Sequence, residues 1–356
     1  MDMVTNTSYN KYYGAPRSLR VFLLLSILFI SLSGCFTNVA QREPLPNIIW
    51  PKPPDIPRIR FVNSISKPDD MNISEGAVKT IMNYLWGEKP SSIVSPHGIA
   101  TDSEGRLYVV DSMMKMVIVY SSKENKHYSF PDDDTTLVSP IDVAVHSKGI
   151  IFVSDSQEAV VKVFEDHGKR YAGEIGRGFL QRPTGIAVNE ETGELIVVDT
   201  LGSEILRYDI DTFQFKGRFG VEGKAQGMLH SPTNVTISSD GNIIVSDTLN
   251  FRIQVFSPDY TFQNAFGEPG NAPGYFSRPK GVASDSDGNI YVVDALFDNV
   301  QIFDRNGRHL MAFGGPGYEY GKFWLPSGIF IDSNDRIYVS DTFNKRVQVF
   351  QYMKGD

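Results

Sequence analysis

From about residue 91 the chain alternates short apolar runs with turn residues at a nearly constant interval. The stretch "IIVSDTLNFRIQVF" begins at Ile243 and "IYVSDTFNKRVQVF" at Ile337, 94 residues later. Runs such as "LYVVD", "IFVSD" and "LIVVD" end on Asp111, Asp155, Asp199, Asp247, Asp294 and Asp341, at spacings of 44, 44, 48, 47 and 47. Nine residues after each aspartate stands an aromatic: Tyr120, Phe164, Tyr208, Phe256, Phe303 and Phe350. Fifteen or sixteen residues before each stands a proline: Pro96, Pro140, Pro183, Pro232, Pro279 and Pro326. Three anchors in register over six copies, with several β-branched runs per copy, predict a β-propeller of six units.

Each unit divides alike. In the fourth, "TNVTI" predicts an inner strand, "SSDG" a hairpin turn and "NIIVSD" a second strand; "FRIQVFS" and "TFQNAFG" supply a third and an outer one. No helical periodicity runs through the units. The sixth copy is followed by "QYMKGD", which is no outer strand, whereas "RIRFVNSIS", Arg58 to Ser66, precedes the first copy and has the outer-strand pattern. Pairing the two would close the ring and cover two open edges. Between this strand and the first unit, "NISEGAVKTIMNYLWG" (72–87) places Val78, Ile81, Met82 and Leu85 at helical spacing and predicts one short helix on the rim or end of the propeller.

The pattern P-x-G-[IV]-A, then D-x-[DE]-G-[NR]-[IL]-[YI]-V-[VS]-D, then [RN]-[IV]-Q-[VI]-F resembles the NHL repeat, best in "PKGVASDSDGNIYVVDALFDNVQIF" and "PSGIFIDSNDRIYVSDTFNKRVQVF". The resemblance covers roughly 91–350 and implies an all-β fold, a six-bladed propeller of four-stranded blades with 58–66 as closing strand. For function it implies little, since such propellers include protein-binding scaffolds, RNA binders and a metal-dependent lyase.

Outside the repeats, residues 1–20 carry Lys11, Arg17 and Arg20, and the apolar "VFLLLSILFISLSGC" follows. A basic segment, an apolar one and small residues describe an export signal. The run Val21–Gly34 is 14 residues, short of the roughly 20 that a spanning helix needs, which argues against an uncleaved anchor. Leu32-Ser33-Gly34-Cys35 resembles a bacterial lipobox, which implies a signal peptide over 1–34, cleavage before Cys35 and acylation there; Phe36 points to the outer membrane. The following 35–57 holds prolines at 44, 46, 51, 53, 54 and 57 and predicts a lipid-anchored, semi-rigid spacer, with Ile48, Ile49 and Trp50 able to dock on the domain.

Composition narrows the chemistry. The 356 residues have a formal net charge of −8, which gives no electrostatic reason to bind nucleic acid. The single cysteine excludes an internal disulfide. Six equivalent aspartates suit loop capping better than catalysis. "GGPGYEYGKFWLP" lacks the Lys-Ser/Thr of a phosphate loop and repeats the spacing of two other inter-unit loops. "DSDGN" has its glycine fourth, where a calcium loop needs it sixth. The six histidines make no zinc motif, and no nucleophile elbow is present. No catalytic residue, metal site or cofactor is therefore assigned.

What varies between units is the start of each inner strand. His97, Asp142, Thr184, Asn234, Lys280 and Ser327 should line the channel mouth, as a ligand site or as a solvated rim. The expected protein is a monomeric propeller, lipid-anchored in the bacterial envelope, that binds a protein, peptide or glycan without catalysis. The alternative is a lactonase- or lyase-like propeller with a metal at the channel, for which only His97, Asp142 and Asn234 qualify as ligands, on blades that would hold them apart. Replacement Cys35→Ser should abolish palmitate labelling and leave an uncleaved precursor; a mutant that matures like the wild type removes the lipobox reading.

Overall fold

A computed structural model describes residues 44–74, 92–132 and 135–354. The expected signal peptide, Cys35 and the start of the spacer lie outside the described residues, as does the expected helix from residue 75 on. Pro46–Asp356 forms one compact unit holding all described strands.

Six antiparallel sheets make up the propeller. Blades I to V are four-stranded, each running in chain order from the channel outward, with inner strands Pro96–Thr101, Pro140–Val145, Pro183–Asn189, Asn234–Ile237 and Pro279–Ser284. Blade VI differs. Its inner three strands, Ile329–Ile331, Arg336–Asp341 and Arg346–Tyr352, continue outward into Ile59–Ile65 and then Ile49–Trp50, so the sheet has five strands rather than four. Ile59–Ile65 pairs antiparallel with Arg346–Tyr352, with Phe61 opposite Phe350 and Ile65 opposite Val347. The fifth strand comes from within the proline-rich segment. Trp50 lies 5.8 Å from both Phe313 and Phe350, and its ring covers Gly321, where a Cβ would stand 2.7 Å from it.

The core is divided into six clusters, each containing side chains from neighbouring blades. The fixed aromatic of the third strand is buried in every copy. Against it packs the last apolar residue of the preceding blade's outer strand: Phe130 on Phe164 at 4.9 Å, Phe219 on Phe256 at 5.1 Å, Phe266 on Phe303 at 4.7 Å and Phe313 on Phe350 at 4.9 Å. Ile175 shares a cluster with Tyr208, and Ile65 of the closing strand shares one with Tyr120. The closing strand therefore supplies, at the junction of blades VI and I, the side chain that an outer strand supplies at every other junction.

The six aspartates are fully buried. Asp294 accepts backbone N–H bonds from Ser277 at 2.6 Å and Arg278 at 3.0 Å, in the loop entering its blade. It also accepts from Leu296 and Phe297 in the loop that follows it. Asp111, Asp155 and Asp199 pin their two loops in the same way. In blades IV and VI an arginine and a glutamine join in: Asp341 accepts from Trp324 N–H, Asn344, Arg346 Nε at 2.7 Å and Gln348, and Asp247 repeats the set with Arg252 and Gln254. The same glutamines accept the N–H of Gly227 and Gly321, and Gln301 that of Gly274, so the glycine-rich loops are held connections between blades.

These aspartates cap the loops on either side of them. Asp294→Ala should cost about 1–3 kcal/mol by leaving buried N–H donors unpaired. Asp341→Ala should cost more, about 3–5 kcal/mol, because it also strands the buried Arg346 guanidinium. Chemical unfolding of both variants checks the order; equal or negligible losses would overturn the assignment.

Candidate functional site at the channel mouth

Prolines at the inner-strand starts pair with the strand-end aspartates, Pro96 with Asp111 and Pro279 with Asp294 among them, so both sets lie at one end of the channel. A cavity of about 840 Å³ runs along the inner strands, with apolar walls such as Ile99, Val143, Ile186, Val235 and Val282. A second cavity of about 270 Å³ opens beside it, bordered by His97, Arg278, Lys280 and Phe343. All six sequence candidates line the larger cavity, but their side chains have different commitments.

Thr184 and Ser327 are engaged in joining blades. The Thr184 hydroxyl lies 2.7 Å from that of Thr200, which donates to the Pro232 carbonyl of the next blade at 2.6 Å. Ser327 and Thr342 repeat this relay onto the Pro96 carbonyl, across the junction where the ring closes. Thr233, not among the candidates, does the same through Thr248 to Pro279. A hydroxyl after the proline and another after the aspartate was the legible signal for this latch.

Asp142 and Asn234 stand where four other blades have glycine. At Gly98, Gly185, Gly281 and Gly328 a Cβ would collide with the neighbouring inner strand. Asp142 instead sends its carboxylate onward, accepting the Ile186 N–H of blade III at 3.1 Å and approaching the Asn234 amide of blade IV at 3.4 Å. Asn234 Oδ1 in turn accepts the Val282 N–H of blade V at 3.0 Å. The expectation that alternate blades hold these two apart is corrected: a carboxylate long enough to bridge one inner strand meets the amide beyond it. Burial pushes the Asp142 carboxyl up to about 7, although bonds from Ile186, Val143 and Asn234 oppose the shift.

His97 and Lys280 are the candidates whose side chains make no hydrogen bond or ion pair among the described residues. Burial, and then the nearby Lys280 ammonium, lower His97 to about 4, so its imidazole is neutral at pH 7. Burial and the neighbouring Arg278 guanidinium lower Lys280. Arg182 and Arg278, each one residue before an inner-strand proline, also line the cavity with unpaired side chains, and the sequence reading missed both. Among the described residues no three His, Cys, Asp or Glu side chains gather as a metal site.

Comparison with known proteins agrees with this architecture. The family model for a 6-bladed β-propeller matches residues 131–222, and that for the NHL repeat matches 229–256 and 323–350. The chain is a six-bladed β-propeller carrying NHL repeats. No curated protein matches it in sequence. Among solved structures it is similar to virginiamycin B lyase from Staphylococcus aureus (15% identity, TM-score 0.54, covering 73% of this chain and 96% of that one). An auxiliary nutrient binding protein from Bacteroides thetaiotaomicron matches at 12% identity and a TM-score of 0.57, covering 74% and 71%. A Bacteroides thetaiotaomicron protein of unknown function matches at 17% and 0.59, with the same coverage. At these identities the likeness is one of fold.

The Asp142 carboxyl gives a pH signature. Its folded pKa, about 7, lies above the ordinary aspartate value near 4, so its contribution is complete below about pH 4 and is lost as pH rises to about 7. Asp142→Asn should remove that decline, and stability curves of the two proteins from pH 4 to 8 should diverge progressively. Parallel curves would show that the carboxyl is ionised throughout.

Proposed function

We propose that this propeller is a binding module of the bacterial cell envelope, tethered by lipid on Cys35, which holds its ligand at the channel mouth without transforming it. One observation carries the reading. At the mouth, Arg182, Arg278, Lys280 and His97 are left unpaired around an open cavity, while Asp142, Thr184, Thr233, Asn234 and Ser327 serve the ring itself. Unpaired polar groups converging on a cavity of several hundred cubic ångströms are the usual form of a ligand site. The aspartates that could have served as acid, base or metal ligand are capped by backbone donors. The alternative, a metal-dependent propeller enzyme, would need a ligand set beyond Asp142 and Asn234, both engaged with backbone.

The test is site-directed photocrosslinking in envelope preparations. A photoreactive residue at Leu249, which lines the cavity, should give discrete adducts, whereas one at Gln263 on the outer strand of the same blade should not. Adducts from Gln263 alone would move the binding surface to the rim. Stoichiometric metal in the purified protein would favour the enzyme.

A further inference from the structure

We infer that the mouth takes a small amphiphile with an anionic head, carboxylate or phosphate, bound between Arg278 and Lys280 with its apolar part in the channel. This rests on the reading of the mouth as a binding site and names what it would hold.

The charge comes first. The chain is acidic overall, at −8, yet the ionised side chains lining the cavity are Arg182, Arg278 and Lys280 against the single carboxyl of Asp142. Asp142, raised to about 7, offsets only part of that positive charge. Burial, and then the nearby Arg278 guanidinium, disfavour the Lys280 ammonium, and no carboxylate is paired to either side chain. Two like charges in a partly buried site cost free energy that an anion between them would recover. The neutral His97 borders the same small cavity and can donate a further hydrogen bond.

The apolar component has two parts. The inner strands give the larger cavity mainly aliphatic walls. Around its opening, the residue two places after each strand-end aspartate is Met113, Leu201, Leu249, Leu296 or Phe343 in five blades, each half or more exposed. Blade II has Gln157 there. Leu249 lines the larger cavity and Phe343 the smaller, so the ring of apolar side chains adjoins the cationic groups. A repeated exposed apolar position around a cavity marks a contact surface. Cations at the opening, aliphatic walls behind them and an apolar collar together match a single anionic amphiphile.

The compact unit Pro46–Asp356 contains every described strand and all six core clusters, and serves for the measurement. Dodecanoate and dodecyl phosphate, below their micellar concentrations, should bind one per protein by calorimetry, acetate should not, and dodecyltrimethylammonium should not. The double variant Arg278→Gln/Lys280→Gln should weaken dodecanoate at least tenfold without lowering the melting temperature, since neither side chain has a partner to lose and their mutual repulsion is removed. Equal binding of the cationic amphiphile, unchanged binding in the double variant, or binding only to phosphatidylglycerol vesicles and not to the monomer would each overturn the inference. Crosslinks from Leu249 that persist in the double variant would leave the binding reading standing while this one fails.

Discussion

No blade of this propeller can bury its own faces. Each sheet is apolar on both sides, and each side is covered only by a neighbour, so every core cluster belongs to two blades at once. The decisive contact is the one between a blade's third-strand aromatic and the last apolar side chain of the previous outer strand. Four of the six junctions use Phe on an aromatic, with rings 4.7–5.1 Å apart. The remaining two use Ile175 and Ile65. Rings at such separations gain a modest increment beyond the area they bury. Because the junctions are arranged in a circle, each one's stability depends on the next being filled.

The mouth inherits its chemistry from that circle. Neighbouring inner strands approach so closely that glycine is required at four of six positions, and the two exceptions extend their side chains to a further blade. Most polar groups at the channel entrance are consequently spent on joining blades, by hydroxyl relays or by carboxylate and amide bridges. The charged side chains left over are basic. A site of this kind is defined less by which residues are present than by which have no structural partner.

The repeat made most of the fold legible: the proline, aspartate and aromatic anchors sit in equivalent places in all six blades, and their spacing reports strand length and hairpin turns directly. "DTLN" and "DTFN" foretold the caps, although not that the arginine and glutamine of "FRIQVF" and "KRVQVF" would converge on the same carboxylate. Less was legible at the mouth. Inner-strand starts were located correctly in four blades, while in blades IV and VI the strand begins later, at Asn234 and Ile329, leaving Thr233 and Ser327 just before it. Nor does a list of positions show which side chains point into a neighbour's backbone. Asp142 and Asn234 are 92 residues apart and meet only because the ring is narrow. Arg182 and Arg278 were missed because they precede the proline, a position that looks like loop. The two-residue strand at Ile49–Trp50 was obscured by surrounding prolines, which exclude long strands but permit a short outermost one.

The strand Ile59–Ile65 also sets an order of events. It is synthesised before any blade, and its partner Arg346–Tyr352 after blades I to V, so nearly 300 residues of chain separate the two halves of one antiparallel pair. Until the ribosome has passed Tyr352, the first segment has no register to adopt and blade I lacks a neighbour on one side. The nascent chain can form individual meanders but no finished ring. Completion is thereby postponed until the third strand of blade VI has been made, a delay encoded in topology alone.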